Sequence, residues 1–455
     1  MMRVAYFGPF PPLRSGIADY SAELLPYLAQ HAEIELFIDT GYRPRAEIAE
    51  RFPVHDYRRF KKLQKQQGYD LCMYQMGNEV QYHEYVYRML IQHPGVVVLH
   101  EYVLHHFFRE LTLARGDKKG FVDEVRYCYG PAGVKLAQQA VNTGAPLDPW
   151  IFPLFERVVD ASLGLIVHNE YTRQRVLQSR PLTRIAKVNQ HFCLDALADG
   201  TRDLSLARAA LDLPQDTFII GSFGFVSAPK RQRVSLQAFA RFRREFPDAL
   251  YVLVGDVLPG SDVAQLVRAM RLEESVIFTG YVDLPTFLRY MAAVDVAVNL
   301  RFPTGGETSA SAIRLMGMGK PIIVSNVGSF AEYPDDCCVK IDVDECEEET
   351  LLEMLRALAV HEGLGRQIGE NAWRHIQAHH TLESSAQGYA DFMQNVLAAS
   401  PRPFAVAPLA PSASDEVLTQ LINEVTAEMV NMGIDERDEL ILREVATAIV
   451  ELGAV

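Results

Sequence analysis

No apolar run in this chain of 455 residues approaches the length of a membrane span, so a spanning topology is not expected. The six cysteines (Cys72, Cys128, Cys193, Cys337, Cys338 and Cys346) form no CxxC pair. That removes zinc knuckles and dithiol redox motifs and leaves free, mostly buried thiols in a reducing compartment. His105 and His106 make no HExxH pattern, and no metal site is expected. Positive charge is in short supply. The 44 Lys and Arg against 58 Asp and Glu leave a net charge of -14, which argues against nucleic acid as a partner. The N-terminus opens at once on the strand-like RVAYFG, without the layout of a signal peptide. What is present is 49% apolar and 22% charged residues, the composition of a globular protein with large cores. The length suggests two or three domains.

The order of elements points to an α/β fold. RVAYFG is a strand, PFPPLRSG a loop, and IADYSAELLPYLAQ a helix. IELFID (34–39), YDLCMYQMGN (69–78), GVVVLHE (95–101) and GLIVHNE (164–170) read as further strands, with His100 and His168 at the ends of two of them. The stretch 102–145 reads as helical, either shaping a substrate pocket or embellishing the surface. A turn-rich crossing at 190–216 leads into a second alternating set of strands and helices, ending in helices at 347–360, 364–379 and 383–399. Two doubly wound Rossmann-like domains facing a cleft are expected. We place the first over 1–195, with the helix near 383–399 packing back on it, and the second over 196–398. A Pro/Ala-rich linker follows at 399–414. The tail 415–455 is an amphipathic helical appendage suited to partner docking, to self-association or to packing on the body.

Several residues stand where chemistry would need them. NLRFPTGGETSASAIRLMGMGKPIIVS (299–325) runs strand, Gly-rich turn, helix, break, strand. Free N–H groups at such a helix start suit an anion, though an ordinary well-capped turn has the same pattern. Glu307 and Arg314 are seven apart, which on a helix places them on one face, about 10 Å apart. Lys230, Arg231 and Arg301 near strand ends suit a diphosphate, or a solvated basic turn. Gly16 lets backbone approach a phosphate or sugar. His100 is either a packing residue or a hydroxyl-binding imidazole. Asp342-Val343-Asp344 lies in the acidic run IDVDECEEE and reads as a solvated loop rather than a metal site.

Together, PPLRSGIADY, VVVLHEYVLHH, GSFGFVSAPKRQRVSLQAF and TGYVDLPTFLRYMAAVDVAVNLRFPTGGETSASAIRLMGMGKPIIVSNVGSFAE resemble the family 4 glycosyltransferases of the GT-B fold, in their GETSxS…R subgroup. The resemblance runs from Arg3 to about Leu397. It implies a retaining, metal-independent transferase with no cofactor, its nucleoside-diphosphate sugar donor held by the second domain. The acceptor would be a hydroxyl of a glycan or lipid-linked glycan. By this resemblance Gly16 lies near the donor phosphates, His100 contacts the donor sugar, and Lys230 is the phosphate lysine. Tyr281 and Val282 supply backbone that reads the base, Glu307 is the first acid of an E-x7-E motif, and Thr308, Ser309 and Ala310 are backbone donors. The motif's second acid, which holds the ribose, is replaced: position 315 is Leu, and the register from Gly319-Lys320-Pro321 puts Arg314 there. Glu332 is an alternative ribose ligand. Phe225 stands where many members have Arg, so Arg231 or Arg301 is expected to supply that charge.

The expected role is cell-surface polysaccharide or glycolipid synthesis in the cytoplasm, with peripheral membrane contact through YRRFKKLQKQQ (57–67) or a merely solvated basic face there. Two other roles fit the same pattern: a degenerate GT-B subunit acting as a scaffold, and another GT-B enzyme such as a nucleotide-sugar epimerase or a sugar-phosphate synthase.

Overall fold

A computed structural model describes residues 1–193 and 202–399. The linker and tail expected beyond Ala399 lie outside the described residues. The chain forms two compact units, one of Met1–Lys187 with the described chain from Tyr389 onward, the other of Val188–Gly388.

In the first unit, apolar and β-branched runs form β1 (Met2–Phe7), β2 (Ala32–Ile38), β3 (Val54–Asp56), β4 (Leu71–Met76), β5 (Val96–Leu99), β6 (Gly164–Val167) and β7 (Ile185–Lys187). They pair in parallel in the order β3-β2-β1-β4-β5-β6-β7. The central strands are mostly apolar because helices cover both faces; β5 is at most 1% exposed along its length. His100 and His168 come directly after β5 and β6, as expected. The edge strands β3 and β7 have three residues each, too short for a sequence period to show.

The long helix Lys118–Thr143 breaks at Gly130, whose φ is 62°, just before Pro131. The helix Phe60–Gln67 buries Phe60 and Leu63 and leaves Lys61, Lys62 and Lys65 exposed. The final helix, Leu382–Ala398, seats Phe392 and Val396 on β6. A Cβ at Gly164 would stand 2.8 Å from the Phe392 ring. No helix among the described residues is long and apolar enough to cross a membrane.

The second unit repeats the plan with β8 (Ile219–Phe223), β9 (Leu250–Val254), β10 (Val276–Gly280), β11 (Val296–Asn299), β12 (Ile322–Ser325) and β13 (Val339–Ile341). Their order is β10-β9-β8-β11-β12-β13, again parallel. Both sheets are doubly wound. Strand order reverses beside β1 and β4 in the first and beside β8 and β11 in the second. Ligands of such sheets bind at the carboxyl ends of those strands.

A buried arginine fastens the second unit. Arg208 is 2% exposed. It donates to Ala293 O at 2.9 Å, Gln215 O at 2.6 Å and Asp295 Oδ2 at 2.7 Å. Lys320 joins it at the carboxyl end of the helix Leu284–Ala293, donating to Ala292 O at 2.5 Å and Val294 O at 3.1 Å. Two cations thus meet the helix's unpaired carbonyls. Arg208→Ala leaves Asp295 without its cation and the Ala293 and Gln215 carbonyls without this donor, and is expected to cost about 3–5 kcal/mol, read as a lower denaturation midpoint.

Candidate active site

At the reversal point of the second unit, the backbone turns after β8 through Gly224, at φ +85°. A Cβ there would stand 2.7 Å from Lys230 Nζ. Lys230 closes a 3-10 turn, Ala228–Lys230, and its Nζ donates to Phe223 O at 2.6 Å. The residue as a whole is half-buried, with its ammonium against the end of β8. Burial holds the Lys230 pKa well below the ordinary lysine value. Neighbouring Arg301 lowers it further, and Glu307 opposes the shift.

Those three residues form one charge cluster. Arg301 Nε lies 2.8 Å from Glu307 Oε1. Arg301 Nε is not aligned as a hydrogen-bond donor in this contact. We read the contact as an ion pair, since its distance is short and both side chains are mostly buried. Glu307 Oε2 accepts from Thr304 Oγ1 at 3.0 Å and Gly305 N at 2.8 Å. Ser329 Oγ donates to Glu307 O at 2.6 Å.

These bonds hold the Gly-rich segment as a loop, so the following helix is Ala310–Gly317 with Ser309 as its N-cap. Ser309 Oγ accepts from Ala312 N at 3.2 Å and from Asn299 Nδ2 at 3.2 Å. Glu307 therefore precedes the helix, and the two-turn helical spacing expected between Glu307 and Arg314 does not apply. Arg314 sits in the helix's last turn. Glu332 ends the 3-10 turn Gly328–Glu332. Burial raises the pKa of Tyr333, with Cys338, Glu332 and Glu307 adding to the rise, which puts both acids near that ring.

One expectation is corrected. Arg231 does not present its charge to a diphosphate. It adopts a left-handed backbone, φ 52°, and its guanidinium meets buried Glu347, with Nε 2.7 Å from Oε1. Arg301 is the arginine beside Lys230. The backbone N–H of Tyr281 donates to Asp256 Oδ1 at 2.9 Å, which fixes the Tyr281–Val282 loop at the end of β10. Its ring is 49% exposed, and Val282 follows half-buried.

The first unit brings a second cluster to the strand ends. Gly16 begins the helix Gly16–Leu28, capped by Ser15 Oγ, which accepts from Ile17 N at 3.3 Å. A Cβ on Gly16 would meet nothing within 4 Å. Gly16→Ala is expected to keep the melting temperature or raise it slightly, since Ala is the better helix former. It should weaken donor binding in a calorimetric titration; unchanged affinity removes Gly16 from the site. His100 N donates to Met76 O at 3.1 Å, and its Nε2 lies 2.7 Å from Gln75 Oε1. The Tyr20 ring meets the His100 ring edge-on with centroids 5.0 Å apart, and the His168 ring lies 5.1 Å from it.

Gln75, Thr304 and Ser329 were not foreseen as parts of these clusters. A lone amide inside the apolar run LCMYQM is the one signal that could have pointed to Gln75. Among the described residues no group of three or more His, Cys, Asp or Glu is placed to hold a metal ion.

Residues 217–359, less than half of the chain, match the family model described as glycosyl transferases group 1. An O-antigen biosynthesis glycosyltransferase, WclY of Escherichia coli, is 24% identical over 149 residues, 32% of this chain. The match spans 39% of that relative's length. Among solved structures, sucrose-phosphate synthase from Thermosynechococcus elongatus has a TM-score of 0.62 at 16% identity, covering 88% of this chain and 100% of that one. HepE from Anabaena, solved with UDP-glucose, has a TM-score of 0.60 at 16% identity, covering 87% of this chain and 100% of its own. The chain therefore has the GT-B fold, and its second unit carries a region similar to glycosyl transferases group 1.

Proposed function

We propose that the protein is a retaining, family 4-type glycosyltransferase that moves a sugar from a nucleoside diphosphate to a hydroxyl of a glycan or lipid-linked glycan. The observation that carries this reading is the Lys230–Arg301–Glu307 cluster at the reversal point of the second sheet. Two cations and the start of the Ala310–Gly317 helix suit the two phosphates of a donor. An acid fixed by Thr304 and Gly305 suits the hydroxyls of its sugar. The similarity to group 1 transferases and the UDP-glucose held by HepE support the same class of donor.

In the proposed reaction the anomeric C–O bond breaks and its electron pair goes to the diphosphate. Lys230, Arg301 and the helix-start N–H groups take up that growing charge. The acceptor oxygen bonds to the anomeric carbon on the face the leaving group departs, and its proton passes to the leaving phosphate. Glu307 orients the sugar, and His100 is assigned to a substrate hydroxyl. No step draws on a metal or a cofactor. WclY supports a place in cell-surface polysaccharide synthesis.

A thermal-shift screen of UDP, GDP, ADP and their sugars tests the reading. A donor at 100 times its dissociation constant is expected to add about 2.7 kcal/mol of stability. If no nucleoside diphosphate stabilises the protein, the transferase reading fails.

A further inference from the structure

His100 is gripped by a buried amide. Gln75 is fully buried on β4, a polar side chain in a strand that is otherwise apolar. The parallel register sets Gln75 opposite Val98 and Met76 opposite Leu99. Side chains alternate along a strand, so Val98 and His100, two apart, share a face, and Gln75 reaches His100 on that face.

The 2.7 Å contact joins His100 Nε2 to an amide oxygen. That oxygen can only accept, so Nε2 carries the proton in this contact. His83 has the opposite form. Its Nδ1 donates to Glu79 O at 2.9 Å, and burial pushes its pKa down to about 4.

The amide is itself held in place. A Cβ at Gly8 would lie 3.0 Å from Gln75 Cβ and Cγ, so the bare glycine at the end of β1 lets the glutamine pack there. Gln75 Nε2 makes no hydrogen bond of good geometry. It is still close enough to act on the Tyr389 hydroxyl, opposing the rise in pKa that burial imposes. The Tyr389 hydroxyl lies 2.7 Å from that of Tyr20, whose ring stands edge-on to His100.

We propose that Gln75 is a positioning residue. Its amide holds His100 as the Nε2–H tautomer, and the Tyr20–Tyr389 pair keeps amide and imidazole aligned for the substrate. The inference rests on the assignment of His100 to substrate made above.

The test is nitrogen NMR of the full chain labelled with 15N-histidine, with His100→Ala used to assign the resonances. Wild-type His100 is expected to show a protonated Nε2 and an unprotonated Nδ1. Gln75→Leu is expected to lose that preference and to lower kcat by about 10–100-fold at unchanged donor KM, the size seen when an orienting partner is removed. Three results overturn the proposal: a wild-type His100 protonated at Nδ1, a Gln75→Leu chain that keeps either the tautomer or the full kcat, and a loss confined to KM. The wild-type spectrum does not depend on the Gln75 variant, so a Gln75→Leu chain that does not fold still leaves a decisive measurement. Full transfer by His100→Ala defeats the underlying assignment instead, and leaves the tautomer result standing.

Discussion

Lys230→Met is expected to stabilise the protein and to remove donor binding. The lysine's folded pKa lies well below the unfolded value of 10.5, chiefly through burial. Wherever Lys230 is protonated in the folded chain, its ammonium is therefore a net burden on the fold. Methionine fills similar space without the charge, and loses only the bond to Phe223 O, worth about 1 kcal/mol. The sign of the pH dependence follows from proton counts. Between the folded pKa and 10.5 the unfolded chain binds more protons, so wild-type stability rises with pH there. The advantage of Lys230→Met is thus larger at neutral pH than near pH 10.5. Donor affinity should fall by about 2–5 kcal/mol, because the diphosphate loses an enclosed counter-charge. Melting curves at the two pH values and calorimetric titration of the preferred nucleotide read both effects. A variant that melts earlier than wild type and still binds nucleotide would remove Lys230 from the site. A residue that weakens the fold and strengthens binding is what a functional site predicts.

Glu307→Ala should have the complementary signature. Its carboxylate is set by Thr304 Oγ1 and Gly305 N and neutralises Arg301. Removing it leaves Lys230 and Arg301 in place, so nucleoside-diphosphate affinity is expected to hold or to tighten. The sugar loses its orienting acid, and kcat/KM should fall on the order of 10²–10³-fold, the cost of removing one preorganised polar partner. The fold should lose about 1–2 kcal/mol, for two hydrogen bonds at a partly buried site. Transfer assays beside nucleotide titration separate the two terms. Intact transfer by Glu307→Ala would end the assignment of this residue to the sugar. Loss of nucleotide binding together with transfer would show that Glu307 supports the loop rather than the chemistry.

The two arginines show where reading along the chain stops. Arg231 follows Lys230 directly and has the same charge, so sequence assigns both to one anion. In the folded chain Arg231 turns to Glu347, 116 residues away, while Arg301 comes to Lys230 from the next strand end. The Gly-rich stretch shows a subtler limit. Residues 305–309 carry the composition of a helix start, and the helix follows. It begins at Ala310 because Thr304 and Glu307 bond locally to loop backbone and to each other, and Ser309 then caps. The wrong starting point was enough to make the Glu307–Arg314 spacing misleading.

Sequence alone determined the alternation of buried strands and helices, the position of His100 and His168 at strand ends, and the glycine turns where backbone can meet a ligand. Those features depend on side chains within a few residues of one another, through periodicity and capping. Tertiary structure decided the strand order that puts β1 beside β4 and β8 beside β11. It also decided which cation meets Glu307, and that a glutamine from β4 and a tyrosine from the helix Gly16–Leu28 close on His100. Those choices are settled by pairing and burial between segments far apart in the chain. No local pattern records them, because each partner is locally compatible with several others.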